Sequence, residues 1–404
     1  MSKHNRVTAY IHMDAVRHNF QVMKGNLREG VKMVAVIKTD GYGHGAVPIA
    51  QMLEPYDYIW GYAVAAVSEA RQLREAGLSK PILVLGYTFA EDYAWMAEHG
   101  VRPTVFTVEM AREFAKAAGT ISGQYPGTGT EEGAASYASD GTRSGRSAEE
   151  HRRFPVHLAV DTGMSRIGVA DTQEGLDAAL SIAKTETLKL EGVFTHFARA
   201  DETDKSAAVN QMNRFAAFCD QLEAKGVRGF LRHCSNSAGI LELPEANMDM
   251  VRAGITIYGI YPSEEMDREA NRLQPVMELK SHVVYVKKLP AGTPVSYGGT
   301  YVTERETEVA TIPVGYGDGY PRSLSNQGSV LINGKRARIL GRVCMDQFMA
   351  DVTGMGVQVL DEVTLMGRDG DDEITVDELG ARSGRFPYEF VCDIGKRVPR
   401  VYCE

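Results

Sequence analysis

The feature that most limits what this chain can fold into is an alternation running through its first two-thirds. Short apolar runs fall at 33–37, 58–64, 81–85, 101–105, 154–160, 190–197, 230–234 and 248–251. Between them, segments such as 68–76, 109–118, 173–183 and 206–224 carry apolar residues three and four positions apart, the spacing of a one-sided helix. Eight strands alternating with helices predict an α/β fold of the (β/α)8 TIM-barrel type, with its chemistry at the strands' C-terminal ends. An open doubly wound sheet competes, but no Gly-x-Gly-x-x-Gly follows the first strand as a dinucleotide fold requires.

Past about Pro262 the pattern changes. Runs at 283–289, 308–314, 329–332, 336–343 and 362–366 read as strands separated by Gly, Pro and Asn-Gly turns, which predicts a mostly-β C-terminal domain. Asn333-Gly334 suits a two-residue hairpin, because both residues tolerate positive φ. The alternating segment 7–13 precedes the barrel and is expected to join the sheet of the β domain. The expected organisation is therefore a strand within 1–13, a barrel over 14–262 and a β-rich domain over 263–404. The stretch 122–146, rich in Gly, Ser, Thr and acidic residues, reads as a flexible insertion on the face away from the chemistry.

Size and charge narrow the class further. A chain of 404 residues exceeds what one hydrophobic core usually serves, in keeping with two domains. The net charge of -9, without a basic stripe, gives no footprint for nucleic acid. No apolar run is long enough to span a bilayer, and no signal-type h-region follows the N-terminus. The five cysteines are odd in number and lack metal-ligand spacing, which points to reduced thiols, a cytoplasmic protein and no metal.

The segment from Val34 through Ile37-Lys38-Thr39-Asp40-Gly41-Tyr42-Gly43-His44-Gly45 is the most informative. A lysine ending a buried strand is poorly solvated, so its neutral amine is favoured, as Schiff-base chemistry with an aldehyde cofactor needs. A snorkelling strand-end lysine is the bland alternative. Other polar groups fall at the same end of later strands: Arg166, His196, Asn236 and Ser237 at a helix start, then Arg252 with Gly254 and Ile255. Singly, each has an ordinary structural explanation. Five strands delivering such groups to one rim is harder to explain that way. The β-rich half adds Tyr297 in Ser-Tyr-Gly-Gly, the segment 315–322, and Met345 in Cys-Met-Asp-Gln.

These motifs resemble those of the alanine racemase family. Lys-x-x-x-Tyr-Gly-His-Gly is similar to its cofactor-attachment motif. Asp-Thr-Gly-Met-x-Arg, Thr-His-Phe, Asn-Ser-Ala, Ser-Tyr-Gly, Gly-Tyr-x-Asp-Gly and Cys-Met-Asp-Gln follow in order, from about Tyr10 to Arg400. The resemblance implies a barrel that binds pyridoxal 5'-phosphate (PLP), followed by a β domain. By position, Lys38 would carry the cofactor. Tyr42, Ser237 beside Asn236, and the backbone at Gly254-Ile255 would hold its phosphate. Arg252 would face the pyridine nitrogen with His196 hydrogen-bonded beside it, and Arg166 and the Met345 backbone would bind near the substrate carboxylate.

The implied reaction interconverts L-alanine and D-alanine by a two-base mechanism, with Lys38 serving the D-enantiomer and Tyr297 the L-enantiomer. Tyr297 would act on the partner subunit's cofactor, which requires a homodimer, and the family role is D-alanine supply for peptidoglycan. A tyrosine base needs a stabilised phenolate, a field that cationic His196 and Arg252 could supply. Two positions depart from the pattern. Ala159 replaces a lysine that becomes carbamylated and orients the arginine, and Lys396 replaces a tyrosine at the substrate entrance. These keep a serine or broad-specificity racemase open as an alternative. A PLP decarboxylase of basic amino acids fits the β-domain motifs less well. A non-catalytic PLP-binding barrel would resemble only the first half.

Overall fold

The computed structural model describes residues 5–119 and 153–404. The expected insertion at 122–146 lies outside the described residues. A first strand, β1 (Val7–His12), leads into the helix Met13–Gly25 and then the alternating units. Their strands are β2 (Lys32–Val36), β3 (Ile59–Val64), β4 (Ile82–Val84), β5 (Val101–Val105), β6 (Phe154–Asp161), the short β7 (Val169–Ala170), β8 (Leu188–Phe194), β9 (Leu231–His233) and β10 (Met250–Ala253).

Hydrogen bonding orders eight of these strands β10-β2-β3-β4-β5-β6-β8-β9, all parallel, with β7 lying on β6. The last seam is closed by backbone bonds from Asp249 N to Arg232 O at 3.1 Å and from Arg252 N to Ser235 O at 3.0 Å. The result is a TIM barrel in which each of the eight apolar runs became a strand. Side chains set where some of the helices begin: Thr107 accepts from Met110 N, and Thr172 from Gly175 N. Leu176, Ala179 and Ile182 then bury one stripe of the helix Gln173–Ala183.

Two strand ends differ from the sequence reading, and both matter. The run 190–197 stops as a strand at Phe194, so Thr195 and His196 lie beyond it. The last barrel strand extends to Ala253, so Arg252 is a strand residue rather than a loop residue. A pattern of apolar runs misplaces both, because it stops at a buried arginine and continues through a buried Phe197.

The second half is a ten-stranded sheet. Nine strands follow the path Tyr285–Leu289, Thr307–Ile312, Phe348–Asp351, Lys335–Leu340, Ser329–Ile332, Glu362–Asp369, Met277–His282, β1 and Arg400–Cys403, and the tenth, Asp372–Ile374, pairs with Glu362–Asp369. β1 pairs antiparallel with Met277–His282 and parallel with Arg400–Cys403. At the Ser329–Ile332 hairpin, Asn333 and Gly334 both adopt positive φ, 53° and 71°. The strands Met277–His282, Phe348–Asp351 and Arg400–Cys403 and the helices Val376–Ser383 and Pro387–Cys392 went unread in the sequence. Short elements of mixed polarity carry too little periodicity to stand out. Among the described residues, no helix is long and apolar enough to cross a membrane.

Ile11, fully buried in β1, packs where the two ends of the chain meet. Ile11→Ala is expected to cost about 2–5 kcal/mol, seen as a lower urea midpoint. An unchanged midpoint would show that β1 contributes little to holding the β domain.

Candidate active site

The backbone after Lys38 is unusual. Thr39, Asp40, Gly41, Tyr42 and Gly43 all take left-handed conformations, with φ of 52°, 52°, 62°, 50° and 80°. For residues with a Cβ this costs roughly 1–2 kcal/mol each, so the surroundings must impose it. They do so from several sides. Gly41 N bonds Ile37 O at 2.8 Å, Gly43 N bonds Thr39 O at 3.0 Å, and Ala46 N bonds the Asp40 carboxylate at 2.9 Å. The Glu69 carboxylate accepts from Thr39 N as well as from Ala65 N and Ala66 N. The β domain clamps the turn from outside, with Arg400 Nε donating to Gly43 O at 3.0 Å and Tyr402 Oη to His44 O at 3.2 Å. Gly43 is required by space as well as by φ, since a Cβ there would stand 2.1 Å from Val391 O.

This turn holds Lys38 half-buried at the mouth of the barrel. Burial lowers the ammonium's pKa, and the nearby Arg166 guanidinium lowers it further. Both favour the neutral amine.

Arg252 lies at the centre of the same end, 3% exposed. Its Nη1 donates to His233 Nδ1 at 2.9 Å and His233 O at 2.8 Å. Its Nη2 reaches Thr195 O at 2.7 Å, Cys234 O at 3.1 Å and His196 Nδ1 at 3.3 Å. The four Nη hydrogens are thus committed inside the protein, and Nε–H has no acceptor among the described residues. Burial lowers this guanidinium to about 10, which still leaves it protonated near neutrality.

His196 corrects an expectation. Burial, then Arg252, Arg166 and Lys38, depress its pKa to about 3. It is neutral at ordinary pH, so any cationic field here comes from the arginines and not from this imidazole.

Beside Arg252, Ser237 Oγ accepts from Gly254 N at 3.0 Å and from Thr256 Oγ1 at 3.0 Å. Asn236 caps the helix Ser237–Glu242 through a bond from Gly239 N at 3.1 Å, and Ile255 opens the 3-10 turn Ile255–Tyr258. A Cβ on Gly254 would stand 3.4 Å from both Ser237 Oγ and Tyr42 Oη, so a small gap opens between two hydroxyls and bare backbone. Burial keeps the Tyr42 phenol protonated, hence a donor. Hydroxyl donors around a gap suit a phosphate, and the spare Arg252 Nε–H suits a ring nitrogen. With the neutral-leaning Lys38 amine, the residues fit PLP.

Arg166, which follows β6, lies close enough to this rim to lower the pKa of Lys38, His196 and Arg252, yet it is exposed and makes no hydrogen bond or ion pair among the described residues. Ala159, at the departing position, is buried and offers Arg166 no acceptor. Two other expected residues are not tied to the rim. Tyr297 is 69% exposed and Met345 54%. Their loops touch each other through Ser296 Oγ and Cys344 Sγ at 3.5 Å, and among the described residues neither residue is hydrogen-bonded to Lys38, Tyr42 or Arg252. Sequence reasoning missed Glu69, Cys392 (3.5 Å from Thr39 Oγ1) and Arg400, which shape the lysine turn. Arg400 closes the stretch of resemblance and could have been singled out. Glu69 had no signal, because the residue before its helix is Ala66 and not a capping Ser or Thr.

A parallel barrel with a strand-end lysine, a hydroxyl-lined gap and a β domain clamped to the lysine turn defines a PLP-dependent enzyme of the barrel-plus-β-domain class. Within that class the relatives are specific. Residues 11–262 match the alanine racemase N-terminal domain and residues 276–402 the alanine racemase C-terminal domain. An alanine racemase of Desulforamulus reducens is 43% identical over 98% of both chains. The alanine racemase of Clostridium difficile superposes with a TM-score of 0.87 at 34% identity, over 100% of this chain and 97% of that one. The alanine racemase of Bartonella henselae, with covalently bound pyridoxal phosphate, gives 0.80 at 25% identity over 98% and 99%. The chain belongs to the alanine racemase family.

The buried neutral imidazoles make an acid-stability prediction. Burial depresses His196 to about 3 and His44 to about 4, and also lowers His157 and His233. Their folded pKa values lie below the unfolded value of about 6.5, so the unfolded chain takes up protons first. Stability from these groups is full above about 6.5 and falls as pH drops below it, before most carboxylates protonate. Urea midpoints measured down this range should decline; a flat profile would contradict the neutral assignment.

Proposed function

We propose that this chain interconverts L-alanine and D-alanine as a homodimer, with Lys38 and Tyr297 as the two bases on opposite faces of the bound substrate. The observation that supports the dimer is the placement of Tyr297: exposed, on a loop beside that of Met345, and with no hydrogen bond to its own Lys38. A second copy that turned this loop toward the Lys38 rim would complete both sites by symmetry.

What PLP supplies when bound is delocalisation that weakens the bond between a substrate's α-carbon and its hydrogen. The protein's part is positional. Lys38 Nζ, held with its amine leaning neutral, removes or returns a proton on one face. The partner subunit's Tyr297 Oη does so on the other. Tyr42 Oη and Ser237 Oγ hold the phosphate together with the Gly254-Ile255 backbone, with Asn236 fixing the start of that helix. Arg252 directs Nε–H at the ring nitrogen. Because a guanidinium only donates, it would favour an unprotonated nitrogen there and so temper the cofactor's pull on electrons. Arg166 and the Met345 backbone of the partner loop receive the carboxylate. The family's role, D-alanine for peptidoglycan, follows from this activity.

The deciding experiment is proton exchange at the α-carbon of L-alanine and L-serine in deuterated buffer, followed by chiral separation. Exchange should accompany D-product, with alanine turned over faster than serine. Equal or faster serine turnover would instead establish a serine or broad-specificity racemase. Lys38→Ala and Tyr297→Phe should each lose roughly 100-fold or more in racemisation. Mixing those two inactive variants should restore part of the activity, because the hybrid dimer holds one site with both bases intact. No recovery on mixing would place both bases in the same chain. Arg252→Glu should increase transamination side products; no increase would remove the tempering role from Arg252.

A further inference from the structure

TIM-barrel interiors are ordinarily packed with Val, Ile and Leu. Here a polar line crosses the barrel instead. Behind Arg252, His233 on β9 turns its Nε2 to His157 Nδ1 on β6, 3.0 Å away. His157 Nε2 faces Glu191 Oε2 on β8 at 3.4 Å, a long contact with no closer acceptor. Glu191 also receives Arg102 Nε from β5 at 3.0 Å, and Arg102 Nη1 is tied to Gly100 O at 2.6 Å. His157 and His233 are fully buried, and Arg102 is 3% exposed. Burying such groups is costly unless each is paired, so the line calls for a reason.

The line also has a direction. Arginine can only donate, so His233 Nδ1, which meets Arg252 Nη1, must be a bare acceptor. The neutral His233 therefore carries its proton on Nε2 and donates it to His157 Nδ1. His157 in turn must carry its proton on Nε2, the nitrogen facing the Glu191 carboxylate. Both tautomers agree with the two ends, a donor at Arg252 and an acceptor at Glu191. Were the line reversed, an N–H of His233 would point at the guanidinium and displace it.

The packing is built around this arrangement. A Cβ on Gly192, next to Glu191, would stand 2.5 Å from His157 Nδ1, although the conformation of this glycine does not itself demand the residue type. Trp60 also packs against His157 in an edge-type contact, with ring centroids 5.4 Å apart.

We propose that Glu191, acting through His157 and His233, is a positioning residue that fixes both imidazole tautomers and so holds Arg252 with its Nε–H turned toward the cofactor ring. The inference rests on the reading that Arg252 faces that ring. Glu191 touches neither cofactor nor substrate; it acts by deciding which nitrogen of each imidazole donates.

The test begins on the apoprotein, where the cofactor plays no part. With 15N-labelled histidine, the ring signals of His157 and His233 should both show the neutral Nε2–H form. Glu191→Gln and Gly192→Ala should mix the tautomers, and Glu191→Asp should restore them in part. In the PLP-loaded enzyme, Glu191→Gln should shift the pH titration of cofactor absorbance and lower kcat roughly 10- to 100-fold, with KM little changed. Nδ1–H signals for either histidine in the wild type would overturn the proposal. So would altered tautomers in Glu191→Gln without any change in cofactor absorbance. Arg252→Ala is run alongside. If it too leaves the absorbance unchanged while the tautomers are as stated, the fault lies in placing Arg252 at the ring; if Arg252→Ala changes it and Glu191→Gln does not, the fault lies in the relay.

Discussion

The constraint on which the site depends is the left-handed turn immediately after Lys38. Five consecutive residues in that conformation cannot be supported by local preference, since only two of them are glycines. The turn persists because the second domain holds it: Arg400 and Tyr402 bond its carbonyls, and Val391 fills the space a side chain on Gly43 would need. The lysine is therefore aimed by residues more than three hundred positions away. The pairing of β1 with Arg400–Cys403 anchors this clamp, because it ties the last strand to the segment entering the barrel. Fold and chemistry are coupled through that seam.

The barrel interior shows the same coupling from the other side. Arg252 is tolerated in a buried place because backbone carbonyls at Thr195, His233 and Cys234 and two imidazoles satisfy its Nη hydrogens. Each carbonyl sits at or just beyond the end of a parallel strand, where the ladder stops and leaves acceptors free. The strand ends at Phe194 and His233 thus supply the acceptors, and the extension of β10 to Ala253 supplies the donor. A barrel whose strands ran one residue further would have paired those carbonyls and left the guanidinium stranded.

Much of this was legible in the chain itself. The eight apolar runs became the eight barrel strands, and the helices at Gln173–Ala183 and Ser206–Ala224 fall where the period placed them, because both faces of their sequence patterns were clear. Lys38, Ser237 and Arg252 were visible because chemistry-bearing residues at strand ends are conspicuous against apolar neighbours. The C-terminal helices and short strands were not, since four to eight residues of mixed polarity fit several structures equally well. His157, Glu191 and Arg102 stayed hidden for a different reason: each lies inside a strand and reads as an ordinary interruption of an apolar run.

The sequence by itself determined the order of the barrel strands, the barrel class, the position of the lysine and the family, all of which rest on local patterns and ordered motifs. Tertiary structure alone decided protonation and reach. Burial together with Arg252 makes His196 neutral, where its residue type would have allowed a cation. The fold leaves Tyr297 exposed and without a hydrogen bond to its own Lys38, although the resemblance names both as bases. The reason is common to both: charge state and distance depend on which distant segments share a low-dielectric space, and no local pattern encodes that.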